Sequence, residues 1–297
     1  MDGKKVKLAI APIAWTNDDM PDLGAENTFA QCVSEMALSG FKGCEVGNKY
    51  PKDPVVLKRA LDMRGLKICN QWFSSFVLTQ PMEEVEKAFV AQCEFLRAMG
   101  ADCIGASEQS YSIQGKKNVP VFGNKYIMND GEWKKFADGM NRLGAIAKSM
   151  GLKLVYHHHM GTVVQTAEEV DRMMEMTDPE VFGLLFDSGH LAYCGEDPLA
   201  VLKKHVKRVR HVHLKDIRPD VVAEVKAKGK SFLDGVRMGA FTVPGDGAID
   251  FAPIFAELDK VGYEGWMVVE AEQDPAKADP LEYALKARAY IRDKAGI

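Results

Sequence analysis

Three consecutive histidines stand in the segment Tyr156-His157-His158-His159-Met160-Gly161-Thr162. Histidine is the commonest side chain to ligate a transition metal, and its unperturbed pKa lies nearest neutrality. The triplet ends an apolar run, Leu152 to Tyr156, that reads as a buried strand. Residues i and i+2 of a strand share a face, so His157 and His159 aim at one point and His158 turns away. Further along, Asp187 is followed three residues later by His190. His211, His213 and Lys215 alternate onto one face, as do Glu270 and Glu272. Carboxylates and imidazoles without thiolates suit Mn, Co, Mg or Zn and do not suit a soft-metal or iron–sulfur site. Asp187, His213 and Glu270 would form a mixed oxygen and nitrogen shell, with His157 as the fourth member. The competing readings are plainer. Asp187 caps the turn that follows, Lys215 is a solvated charge, Glu272 pairs with a nearby basic residue, and His157 or His159 contacts substrate instead of metal.

Groups so far apart in sequence need a scaffold that brings strand ends together. Strand-like runs fall at residues 7–14, 43–47, 67–73, 102–107, 153–157, 182–187, 209–214 and 266–270. Helix-like segments separate them. In one, Phe29, Cys32, Val33, Met36 and Ala37 form a stripe at helical spacing, which Asn27 or Thr28 can cap and Gly40 can end. Eight alternations in a chain of 297 residues predict a single α/β domain over 1–297, a (β/α)8 TIM barrel. An open doubly wound sheet is the alternative, but no Gly-x-Gly-x-x-Gly turn follows the first strand. Two connections are long, after the fourth strand (108–129) and after the seventh (216–250). Both would sit on the catalytic face, as covers over a site or as oligomer contacts.

A barrel places its chemistry at the C-terminal ends of its strands. Those ends carry Trp15 and Asn17, Glu45, Asn70 and Trp72, Glu108, the histidine triplet, Asp187 and His190, His213 and Lys215, and Glu270 and Glu272. Eight polar groups in one topological position argue for a site.

Composition narrows the classes. The chain is 46% hydrophobic, enough for a large core, and its net charge is -4 with no basic stripe, which argues against a nucleic-acid partner. The opening Met1-Asp2-Gly3-Lys4-Lys5 lacks the apolar core of a signal peptide, and no apolar stretch reaches membrane length. The six cysteines form no Cys-x-x-Cys pair and read as reduced core thiols. The expectation is a cytoplasmic enzyme with no membrane partner; a homo-oligomer stays open.

Three stretches make the chain similar to a known family. They are Phe186-Asp187-Ser188-Gly189-His190, His211-Val212-His213-Leu214-Lys215-Asp216 and Gly265-Trp266-Met267-Val268-Val269-Glu270. Together they resemble the xylose-isomerase-like barrel superfamily of sugar isomerases, epimerases and dehydratases. The Tyr156–Thr162 segment, with Ala11 to Pro21 and Glu45 to Lys49, makes it resemble more narrowly the inosose dehydratases of inositol catabolism. The resemblance implies a divalent metal, Mn or Co, held by a Glu, an Asp, a His and a Glu at strands five to eight. Asp187, His213 and Glu270 match the last three, while His157 stands where the Glu is expected. It also brings in glutathione, for which no residue pattern here forms a site.

The implied reaction is loss of water from a cyclic polyol ketone, 2-keto-myo-inositol. A base removes a proton α to the ketone, and an acid assists the departing β-hydroxyl. Glu45 or His190 is the expected base. Lys215 or His159 would help the leaving group or the developing oxyanion. Trp15, Asn17, Asn70, Trp72 and Gln165 are the expected polyol contacts, with core packing as the alternative for both tryptophans. A metal-dependent sugar or ketose epimerase or isomerase is the nearest competing function. An abasic-site nuclease and a non-catalytic sugar-binding protein lie further away.

Overall fold

Parallel strands follow one another around a closed ring in the computed structural model, which describes residues 1–297. The strands are β1 (Val6–Ile10), β2 (Gly43–Glu45), β3 (Lys67–Asn70), β4 (Trp72–Ser75), β5 (Cys103–Glu108), β6 (Lys153–His157), β7 (Phe182–Asp187), β8 (Val209–Leu214) and β11 (Gly265–Val269), with a separate antiparallel pair β9 (Asp216–Ile217) and β10 (Phe241–Thr242). The sheet order is β3-β2-β1-β11-β8-β7-β6-β5-β4. Only Gln71 separates β3 from β4, so the two edges of this sheet are halves of one bent strand. The ring therefore closes through eight strand positions, as expected of a TIM barrel.

The seam at the bend is closed by a side chain. Asn70 Oδ1 accepts from Gly105 N–H of β5 at 2.6 Å. A Cβ on Gly105 would lie 2.8 Å from Asn70 Nδ2, so only glycine lets the amide approach this far. The third strand was expected to run unbroken over 67–73, and this bend is the difference. The first strand also stops early, at Ile10, because Pro12 opens a short 3-10 turn over Pro12–Ala14.

The helices are α1 (Phe29–Leu38), α2 (Pro54–Asp62), α3 (Met82–Ala98), α4 (Asp130–Ser149), α5 (Ala167–Met176), α6 (Ser188–Cys194), α7 (Pro198–His205), α8 (Pro219–Ala227), α9 (Phe232–Met238), α10 (Ala252–Lys260) and α11 (Pro280–Ala295). Thr28 is the cap of α1, accepting from Gln31 N–H. The turn glycines Gly151 and Gly262 hold φ values of 79° and 66° with open space around them, so the left-handed backbone is what requires glycine there. No helix is long and apolar enough to cross a membrane.

Alternation sorts the strand residues. Leu154, Tyr156, Leu184, Phe186, Val212 and Leu214 face outward into the large core beneath the helices. Val155, Leu185 and Val268 face inward, and continuing each strand by two residues on that face arrives at His157, Asp187 and Glu270.

Both long connections fold over the C-terminal end. Residues 109–129 have no regular structure, but Ile113 N–H donates to Gly161 O at 2.9 Å and Gln114 Nε2 to Asp19 Oδ2 at 3.0 Å. The second connection contributes α8, α9 and the β9–β10 pair. Phe232 of α9 lays its ring 5.0 Å from that of His159. The covering role is the one this geometry supports.

An ion cluster pins the second cover. Asp246 accepts from Arg218 Nη2 at 2.7 Å, Thr242 Oγ1 at 2.7 Å and Lys286 Nζ at 2.6 Å. Burial alone would raise its pKa, but Lys286, Thr242 and Arg218 outweigh burial and hold the carboxyl below its ordinary value. A depressed folded-state pKa gives stability that is present at neutral pH and lost as pH falls through it. Hydrogen-exchange protection of α8 and α9, corrected for the intrinsic rate, should therefore fall below the ordinary carboxylate range. Asp246→Asn should show that lower protection already at pH 7, at a cost of about 1 kcal/mol for a partly exposed cluster. An exchange profile independent of both pH and substitution would contradict this.

Candidate active site

The inward ends of β6, β7, β8 and β11 deliver four side chains to one point. His157 Nε2 lies 3.2 Å from Asp187 Oδ2, His213 Nδ1 lies 3.5 Å from the same oxygen, and His213 Nδ1 lies 2.8 Å from Glu270 Oε2. All four residues are buried. Asp187 has a second duty, since its Oδ1 caps α6 by accepting from His190 N–H at 2.8 Å. Both readings of Asp187, turn cap and inward carboxylate, thus hold at once on different oxygens.

His157, Asp187 and Glu270 offer atoms within 4.8 Å of one another, together with His190, and His213 does so with Glu270 and Glu45; the four strand-end residues form a candidate divalent-metal site, and one atom tests the fit. His213 Nδ1 is buried against two carboxylates yet makes no hydrogen bond of acceptable geometry with either. A ring nitrogen without a hydrogen bond, 2.8 Å from one carboxylate and 3.5 Å from another, marks a place where a cation belongs. Burial would raise the pKa of Asp187, but its basic neighbours His190 and Lys215 and contacts from His157 and His213 hold it well below the ordinary range. Against the same burial, His213 and Lys215 bring Glu270 down to about 2. Both carboxylates are therefore ionised at neutral pH, as ligands must be.

Glu45 braces this group from behind. His213 Nε2 lies 3.0 Å and His211 Nε2 3.3 Å from Glu45 Oε1, and Asn70 Nδ2 donates to the same oxygen at 2.8 Å. A carboxylate on the far nitrogen of a ligating histidine fixes its tautomer and orientation. Glu45 was an expected base; it lines the cavity, and its Oε1 is engaged by three donors, which fits a bracing duty for that oxygen. Glu45→Gln should weaken metal affinity about 10- to 100-fold with little change in KM, measured by competition with a chromophoric chelator. Unaltered affinity would remove the brace.

The cavity above the four residues holds about 220 Å³ and is lined by His157, His213, Glu270, Glu272, His159 and Trp72, among others. The Trp72 ring stands edge-on 5.4 Å from His157 and 5.8 Å from His159. His159 Nδ1 lies 2.8 Å from Met160 O, which can only accept, so Nδ1 carries the proton and Nε2 is the free acceptor. Burial, His157 and Lys215 push the His159 pKa well below its ordinary value, so the ring is neutral. Burial and Glu270 push Glu272 up to about 7 despite Lys215.

Several expected contacts lie elsewhere. Trp15 is fully buried in the core, with Nε1 donating to Glu35 Oε2 at 2.6 Å, so core packing is its role. Asn17 accepts from Asp19 N–H and Met20 N–H, both at 2.9 Å, and shapes its own turn. Gln165 accepts from Gly161 N–H at 2.8 Å and braces the histidine loop. Asn70 reaches the cavity wall, but its amide serves Gly105 and Glu45. His190, an expected base, has Nε2 against Lys215 Nζ at 2.9 Å and does not line the cavity. Lys215 is fully buried, not solvated.

Two strand-end acids serve loops instead. Glu108 accepts from Ser75 Oγ and Val77 N–H at 3.0 Å each, and Asp216 from Ile217, Gly247 and Ile249 N–H. Asp19 and Gln114 join the cavity wall unannounced, because loop-to-loop contacts leave no periodic signal. Glu272, which its i+2 spacing to Glu270 already placed on the same face, lines the cavity beside it.

Comparison with known proteins agrees with this architecture. The family described as xylose isomerase-like TIM barrel matches residues 33–294. An inosose dehydratase of Clostridium perfringens is 64% identical over 297 residues, covering 100% of both chains. One of Geobacillus thermodenitrificans is 59% identical over 293 residues, covering 99% of this chain and 98% of its own. Among solved structures, the IOLI protein with a binding zinc atom aligns with a TM-score of 0.72 at 17% identity, covering 98% of each chain. That likeness concerns the fold, whereas the high identity over full length concerns the family. The chain belongs to the xylose isomerase-like TIM barrels and, among them, to the inosose dehydratases.

Proposed function

We propose that this chain is a divalent-metal-dependent hydro-lyase that removes water from 2-keto-myo-inositol to give a trihydroxycyclohexane-1,2-dione. The observation that carries the metal is His213 Nδ1, buried between Glu270 and Asp187 at the cavity floor without a hydrogen bond of acceptable geometry to either. The substrate class rests on the full-length identity to inosose dehydratases. His157, Asp187, His213 and Glu270 would hold the ion. Two imidazoles and two carboxylates suit Mn or Co, with zinc as the competitor that the IOLI neighbour suggests. Bound there, the ion supplies Lewis acidity that makes the hydrogen α to the ketone removable.

The chain's own groups carry the rest. His159 Nε2, the free acceptor on the cavity wall, takes the α proton. The electrons of that C–H bond form the new double bond as the adjacent C–O bond breaks. Glu272 lines the same cavity and offers an oxygen within 4.8 Å of a ring nitrogen of His159. Its proton goes to the departing oxygen, which leaves as water. Lys215 lies 2.9 Å from Glu272 Oε2 and takes the charge left on that carboxylate. The Trp72 ring offers an apolar wall to the C–H edges of the substrate, while Asp19 and Gln114 face its hydroxyls.

Chelator-stripped protein should not consume ketoinositol, and Mn or Co should restore a product lighter by one water. Full activity in the stripped protein would overturn the metal reading. A product of unchanged mass would make the enzyme an epimerase or isomerase instead.

A further inference from the structure

Lys215 is fully buried, outside the cavity wall, and surrounded in an unusual way. Its ammonium lies 2.6 Å from Glu270 Oε1, 2.9 Å from Glu272 Oε2, 2.9 Å from His190 Nε2 and 4.0 Å from Asp187 Oδ2. All four are atom types that ligate divalent metals. His190 Nε2 faces a group with protons only to give, so it is the unprotonated nitrogen, the form that binds a metal.

Glu270 divides its two oxygens between two cation positions. Oε2 faces His213 Nδ1 and Oε1 faces the ammonium. A carboxylate with one oxygen turned to each side would serve two cations at once. His159, His190 and Glu272 each offer an atom within 4.8 Å of the others, and His190 does the same with Glu270, His157 and Asp187, so His190 and Glu270 stand between the two positions.

The lysine is held in this place by its surroundings. Its stem lies on Gly189, where a Cβ would come within 2.3 Å of Lys215 Cγ. Its backbone is clasped by Ser188 Oγ, which donates to Lys215 O at 2.7 Å and accepts from Lys215 N–H at 3.2 Å. The Phe241 ring lies 4.6 Å from the ammonium.

We propose that Lys215 is the built-in cation of a second metal cradle formed by His190, Glu270 and Glu272, so that the enzyme takes one divalent ion where its ligands could hold two. The ammonium neutralises Glu270, and Glu272 once its proton has left, but has no open coordination position. It therefore cannot polarise a water molecule as a second metal would, which keeps the site from hydrolytic two-metal chemistry. The inference rests on the proposed function only for the first ion.

The test is metal stoichiometry after equilibration with Mn(II) alone, with Zn(II) in a parallel series. The wild-type protein should hold one ion per chain even at saturation. Lys215→Met keeps the stem against Gly189 and Phe241, removes the charge, and should hold two, with an exchange-coupled manganese pair in the electron paramagnetic spectrum. Lys215→Met combined with Glu272→Gln should return to one. One ion in both wild type and Lys215→Met, or two in wild type, would overturn the proposal. None in wild type and one in the variant would support the cradle while overturning the catalytic metal. None in either would overturn both. If Lys215→Met unfolds without metal, refolding in excess Mn(II) supports the proposal and failure to refold in it overturns it.

Discussion

Asp187→Asn should abolish metal retention and lower kcat on the order of 10³-fold or more, while the fold stays in place. The substitution separates the two duties of this residue. Asp187 Oδ1 caps α6 by accepting from His190 N–H, and an asparagine oxygen does the same, being an equally good cap. The other oxygen, beside His157 Nε2 and His213 Nδ1, becomes a neutral amide and no longer supplies an anionic ligand. Circular dichroism and the melting temperature should therefore change little while bound metal falls towards zero. Retained metal with wild-type turnover would show that the cation site lies elsewhere.

His159→Gln should give the complementary result, a kcat lower by about 10²- to 10⁴-fold with metal content unchanged. The tautomer of the ring decides this role. Met160 O fixes the proton on Nδ1 and leaves Nε2 as the acceptor on the cavity wall. Glutamine can still bond to that carbonyl and fill part of the space under Phe232, but it has no basic nitrogen. The loss should fall on kcat more than on KM, and isotope exchange of the substrate α hydrogen with solvent should slow in parallel. If exchange persists at the wild-type rate while dehydration stops, His159 serves the leaving group and not the α proton.

The barrel was legible because one kind of signal, alternation of polar and apolar residues, is local. It placed His157, Asp187, His213 and Glu270 on inward positions of four neighbouring strands, and the fold brings them together. It also set His158 apart from the cavity, where the structure keeps it, with its Nε2 accepting from Asp187 N–H at 3.3 Å. What spacing could not carry was the partner of each polar group. Glu45 meets His213 across 168 positions of chain, so a residue expected as a base has one oxygen engaged by an imidazole. Asn70, expected to touch substrate, closes the seam where the third strand bends. Trp15 and Asn17 follow a strand that Pro12 ends early, which turns them into the core and into a local turn. Lys215 had the most misleading plain reading, because a lysine at a strand end looks solvated until three carboxylates and an imidazole surround it.

The central claim is that one divalent ion sits at the joined ends of β6, β7, β8 and β11. Anomalous scattering from crystals of manganese- or cobalt-loaded protein tests it most directly. The account predicts a single strong peak within bonding distance of His213 Nδ1, Asp187, Glu270 and His157. A peak ligated by other residues, or none at full loading, would contradict it.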